Sequence, residues 1–129
     1  MTSDNRPSPS LPDSSRLEVE RLDSRIALLV PASELHGDEL HRVLRQGIEA
    51  LVSEGTTGLV IDMRAFTVLD SSGLGALVSC HGDVSGIEGA RLVLTGVSPS
   101  LRRTLSRAML LQVLPVYESV ERAFAALRS

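Results

Sequence analysis

Apolar and polar residues are spaced along this chain in two periods, and the switches between them mark out its elements. In "RLEVERL" (16–22), Leu17, Val19 and Leu22 are separated by charged residues, the near-alternation of a half-exposed strand. "DS" at 23–24 is a turn, and "RIALLVP" (25–31) is a continuous apolar run that predicts a more buried strand. "HGDELHRVLRQGIEALVSEG" (36–55) instead sets Leu40, Val43, Leu44, Ile48, Leu51 and Val52 at helical spacing. Asp38 and Glu39 fall in its first turn, and Gly55 closes it. "GLVIDMR" (58–64) predicts a buried strand from its length and β-branched content. "AFTVLDS" (65–71) leads to a second helix from about Ser72, with Leu74, Leu77 and Val84 on one face. "ARLVLTGV" (90–97) predicts a further strand. "SPSLRRTLSRAML" (98–110) predicts a third helix with Ser98 as its cap and Pro99 at the first helical position. "LQVLPVY" (111–117) reads as a final short strand, and "SVERAFAALR" (119–128) as a last helix.

Two strands followed by strictly alternating strands and helices define an α/β protein. Strands separated by helices are joined by crossovers, so the expected sheet is mixed and mostly parallel, with about five strands and about four helices packed against it. Residues 16–128 read as one domain. The Pro- and Ser-rich segment 1–15 has too little apolar surface to repay its ordering entropy and reads as a disordered tail.

Composition narrows the functional classes. The chain is 43% hydrophobic but 2% aromatic, so its core must be aliphatic and it lacks stacking platforms for bases. Net charge is −3, all 13 basic residues are Arg, and they form no run. Phosphate neutralisation needs a cationic face, so a direct nucleic-acid partner is not expected. Cys80 is the single cysteine, which excludes an intrachain disulfide; it reads as a small buried hydrophobe on the second helix. The N-terminus lacks the apolar segment of a secretory signal, and no stretch reaches the roughly 18–20 apolar residues that cross a bilayer. The expectation is a cytoplasmic protein with no membrane partner.

No intrinsic active site is advertised. The serines lie in Leu69-Asp70-Ser71-Ser72-Gly73, which lacks the first glycine of G-x-S-x-G. His36, His41 and His81 fit no zinc pattern, and there is no phosphate-cradling glycine loop. Cys80 and His81 are adjacent, so on a helix they point about 100° apart. Neither a catalytic residue, a metal site nor a cofactor is expected, and the chain reads as a non-enzyme. What stands out is "VLDSSGLGALVSCHG" (68–82), where an acid, two hydroxyls and a glycine sit between apolar runs. Ser71 or Ser72 reads as the helix cap, with Asp70 complementing the positive end of the helix dipole. A hydroxyl at an exposed helix start is also open to a kinase. A phosphoryl group there adds about −1.5 to −2 charges, which the helix N-terminus can hold, and with Asp70 alongside the patch would repel a docked partner.

Leu69-Asp70-Ser71-Ser72-Gly73-Leu74-Gly75-Ala76-Leu77 resembles the signature of the STAS-domain anti-sigma factor antagonists, bacterial partner-switching regulators of stress response, sporulation or development. "GLVIDMRAFTVLDSSGLGAL" follows the family run throughout, and "ARLVLTGVSPSLRRTLSRAMLLQVLPVYESVERAFAAL" resembles its C-terminal half, so the likeness spans about 16–128. It implies the STAS fold and a phosphorylation switch. The unphosphorylated protein would bind an anti-sigma factor that is also an ATP-dependent serine kinase, freeing the sigma factor. Phosphorylation of Ser71 would release it, and a metal-dependent serine phosphatase would reset it. The partner-binding residues implied are Glu34, Leu35 and His36 after the second strand, with Asp70, Ser71, Ser72, Gly73, Leu74 and Gly75. The chain departs from the family in three places. The usual G-E-L-D is Ser33-Glu34-Leu35-His36 here. Gly82 and Gly86 predict a second helix that is short or mobile at its end. Met109 stands where a glycine commonly follows the third helix, which predicts a different helix ending. The alternative function is a STAS scaffold or binding module in a larger signalling or transport-associated complex, without a phospho-switch.

Overall fold

The computed structural model describes residues 16–129, so the tail expected over 1–15 lies outside the described residues. The first turn is made by Asp23, whose Oδ1 accepts the backbone N–H groups of Arg25 and Ile26, both at 2.8 Å. It folds β1 (Leu17–Arg21) back on β2 (Ile26–Pro31) as an antiparallel pair with Leu17 opposite Pro31 and Arg21 opposite Ala27. There follow α1 (Gly37–Ser53), β3 (Gly58–Asp62), α2 (Ser71–Ser85), β4 (Arg91–Thr95), α3 (Pro99–Arg107), β5 (Val116–Tyr117) and α4 (Val120–Arg128). From β2 onward each strand pairs in parallel with the next, so spatial order equals chain order, β1-β2-β3-β4-β5. The mixed, mostly parallel sheet with four helices is the one the pattern predicts.

A sheet that grows in one direction through right-handed crossovers carries all its crossover helices on one face. Here α1, α2 and α3 share a face. Leu40, Leu44 and Ile48 of α1, Leu77 and Cys80 of α2, and Leu101 and Leu105 of α3 join Leu29, Ile61 and Leu94 of the strands in one aliphatic core. The alternate strand residues Ile26, Leu28, Val60 and Val93 point to the opposite face, where Ala123 of α4 covers them, flanked by Phe124 and Leu127.

Three boundary expectations change. Of the strand expected over 111–117 only Val116 and Tyr117 pair, and Leu110–Gln112 form a 3-10 turn. Leu114 plunges into the core and Pro115 has no N–H to give; its carbonyl accepts from Leu94 N at 2.9 Å, so pairing starts only there. The second helix is not cut short. It runs through Gly82 to Ser85 with Gly86 as its C-cap, because Cys80 and Val84 on its inner face are buried. The third helix ends the way a glycine favours: Met109 takes φ 63° and ψ 20°, the left-handed region, at a cost of about 1–2 kcal/mol for a side-chain-bearing residue.

Candidate functional site

Parallel strands deliver the chain to one edge of the sheet, so the starts of α1, α2 and α3 gather at the carboxyl ends of β2, β3 and β4. The serine pair sits there. The cap of α2 is Asp70, not either serine: with φ −84° and ψ −176° it is the last extended residue, and Ser71 and Ser72 are already helical. Asp70 Oδ1 accepts the Gly73 N–H at 2.9 Å and the Ser72 hydroxyl at 2.8 Å. An acidic residue in extended conformation reaches the third helical amide, whereas a serine one step later is already inside the turn. The Gly73 N–H, then the Ser72 hydroxyl and further off His36, hold the Asp70 carboxyl below its usual range. Ser71 is exposed and, among the described residues, its hydroxyl takes no part in this network.

The start of α1 abuts this cap. Gly37 has φ +45°, and a Cβ on it would lie 3.0 Å from Ser72 Oγ and 3.2 Å from Ser72 Cβ. Only a residue without a side chain allows both the backbone turn and the contact. His36, the N-cap of α1, is extended, exposed and makes no side-chain cap bond. Directly before β1, Arg16 pairs with Glu39 in the first turn of α1, tying the helix start to the entry of the sheet's outer strand. Across the edge, Ser98 caps α3 by accepting the Leu101 N–H at 3.0 Å and donates its hydroxyl to the Thr67 carbonyl at 2.7 Å. The loop that leads into Ser71 is therefore held from α3.

The residues implied by the resemblance divide by exposure. Glu34, His36, Asp70, Ser71, Ser72 and Gly75 are exposed and Leu74 is half-buried. Leu35, at 2% exposure, belongs to the core and anchors the loop between β2 and α1, at the floor of the cleft between the helix starts. Gly73 is also buried, and a Cβ there would come 2.8 Å from Leu69 Cδ2, so its role is to let the loop close over the helix. Between the helix starts lies an open cleft of about 340 Å³ lined by residues including His36, Gly37, Phe66, Val68 and Asp70. Sequence reasoning missed Gly37, the Ser98–Thr67 tether and Val68, which is 65% exposed. The available signals were a glycine at the start of the first expected helix and an apolar residue inside an expected loop.

Cys80 lies in the core at 0% exposure, and burial, with Asp83 nearby, pushes its thiol up to about 12, so it stays a neutral packing group. Among the described residues no three His, Cys, Asp or Glu side chains are placed to hold a metal, and no helix is long and apolar enough to cross a membrane.

The chain is thus an α/β domain whose strands lie in chain order and whose helix starts share one edge with an aspartate-capped serine pair. The STAS domain profile matches residues 21–123, and the chain belongs to that family. No curated protein matches it by sequence. Among solved structures it is similar to an anti-sigma factor antagonist from Mycobacterium paratuberculosis, with 26% identity, 88% of this chain and 93% of that one covered, and a TM-score of 0.70. It is also similar in fold to an anti-sigma factor antagonist (STAS) domain protein from Planctomyces limnophilus, at 18% identity, 88% and 99% coverage and a TM-score of 0.71. The phosphorylated form of the Bacillus cell fate determinant SpoIIAA shares the fold at 17% identity, 87% and 99% coverage and a TM-score of 0.64.

Proposed function

We propose that this protein is an anti-sigma factor antagonist that acts by binding rather than catalysis and is switched by phosphorylation at Ser71. Unphosphorylated, it binds an anti-sigma factor with serine kinase activity through the edge formed by Glu34, His36, Asp70, Ser71, Ser72 and Gly75. The observation that carries this reading is the state of Ser71, exposed at the first position of α2 with its hydroxyl outside the Asp70 network. Ser72, by contrast, is engaged by Asp70 and packed on Gly37.

Transfer of the γ-phosphoryl group of ATP to Ser71 Oγ would place a near-dianion beside Asp70. That carboxylate is ionised in the neutral range, as an ordinary aspartate is, and its hydrogen bonds hold its pKa lower still. Two adjacent anions repel an acidic or apolar docking surface, while the amides at the start of α2 steady the phosphate without a change of fold. A metal-dependent serine phosphatase resets the switch. The test is to incubate the protein with candidate anti-sigma kinases and ATP and to locate the label by mass spectrometry. Label on Ser71, a kinase complex that persists with Ser71→Ala and one that is lost with Ser71→Glu are the expected results. A kinase complex indifferent to both substitutions overturns the reading.

A further inference from the structure

Among the described residues six arginines are paired with carboxylates: Arg16, Arg21, Arg42, Arg45, Arg64 and Arg122. The C-terminal part of the sheet is different. Between Gly89 and Tyr117 the chain has no Asp or Glu, yet it carries Arg91, Arg102, Arg103 and Arg107. The last three are exposed and sit on α3, where Leu101 and Leu105 face the core and the arginines face away. Among the described residues none of the three has a carboxylate within ion-pair reach; Arg103 makes only a 3.4 Å contact to Ser100 Oγ. Just beyond the helix, Met109 is 63% and Val113 43% exposed. An acidic protein thus keeps an unneutralised cationic helix face next to exposed apolar side chains. Ser98 ties the start of that helix to the loop entering Ser71.

We infer that the outer face of α3, built on Arg102, Arg103 and Arg107 with Met109 beside it, is a second docking element that takes an acidic surface of the protein partner engaging the Ser71 edge. A protein occupant is favoured over nucleic acid by the exposed methionine and valine, the overall negative charge and the ionised Asp70 on the same side of the sheet. The two elements work in opposite senses. The arginines steer an acidic partner inward, and a phosphate on Ser71 would offset their field at the neighbouring helix start.

The inference takes the identity of the partner from the proposed phospho-switch, and its test separates the two. Binding of the full chain to the kinase that labels Ser71 is measured at about 50 mM and about 300 mM salt, across which charge steering is strongly screened. In the R102E/R103E/R107E variant, affinity at low salt should fall about tenfold or more and the salt dependence should flatten. The R102K/R103K/R107K variant should keep both, and circular dichroism should show all forms equally folded. Unchanged affinity and salt dependence in the glutamate variant, with binding still abolished by Ser71→Glu, overturns the docking element and leaves the switch standing. Indifference to both sets of substitutions overturns both. Sequence-independent DNA binding by the wild-type protein at physiological salt, lost in the glutamate variant, assigns the face to nucleic acid and overturns the inference.

Discussion

The helices α1 and α2 begin side by side at one edge of the sheet, yet their starts are held by different means. At α2 the means are local: Asp70 accepts from Gly73 three residues on and from Ser72 two residues on. At α1 they are tertiary. His36 makes no side-chain cap, and the turn is kept by a left-handed glycine seated against Ser72 and by the Arg16–Glu39 pair reaching across from the residue before β1. A locally capped start can be read from a few residues, whereas a start held by its neighbours cannot. The functional consequence is that Ser72 serves both starts, as donor to Asp70 and as the surface under Gly37, which leaves Ser71 as the disengaged hydroxyl.

Substitutions can break this contrast in order of severity. Gly37→Ala should be the most damaging, costing about 1–2 kcal/mol from the left-handed backbone with a further penalty from the Ser72 contact; urea unfolding measures it. If Gly37→Ala were neutral, the start of α1 would not depend on the start of α2. Next comes the third start, α3, where Ser98→Ala removes a cap and the tether to Thr67 and should cost about 1 kcal/mol. Faster amide exchange across 65–70 should accompany it, separating the tether from the cap.

Asp70 sharpens the comparison by pH. Its folded pKa is depressed, so its contribution to stability is fully present above the ordinary carboxylate value and is lost as pH falls through the depressed one. Asp70→Ala should lower Tm at neutral pH by no more than Ser98→Ala does. Asp70→Asn, which still caps, should restore most of that loss and make the acid limb of the stability curve shallower. An acid limb identical in wild type and Asp70→Asn would show that the cap is not the titrating element. The smallest expected effect lies at the other end of α3. Met109→Gly exchanges a strained side-chain-bearing residue for one that adopts the same backbone freely, and should stabilise by about 0.5 kcal/mol after the added unfolded-state entropy of glycine.

Much of the fold was legible because two-residue and 3.6-residue periods report directly which side of an element is buried. Leu40, Val43, Leu44, Ile48 and Leu51 were chosen by spacing and all lie in the core. The serine pair was legible from its composition and from the resemblance that placed it. Less legible was the assignment of jobs within the pair, because Asp, Ser and Ser can each cap a helix and only the backbone angles at residue 70 decide which does. The burial of Leu35 was hidden for a related reason: its motif says which loop it occupies but not which way the side chain turns, and here it turns into the core. The short fifth strand was hidden because "LQVLPVY" is apolar enough for a strand, while the burial of Leu114 and the missing N–H of Pro115 limit pairing to its last two residues.

By itself the sequence determined the order of elements, the aliphatic core and the presence of an acid-hydroxyl-glycine cluster at a helix start, because these follow from periodicity and from side-chain chemistry within a few residues. The tertiary structure alone decided that three helix starts share one edge, that Gly37 rests on Ser72, and that Ser98 reaches Thr67. Among the described residues it also left the arginines of α3 without carboxylate partners. Those relations depend on crossover handedness and on which distant segments the sheet brings together, and no local pattern encodes either.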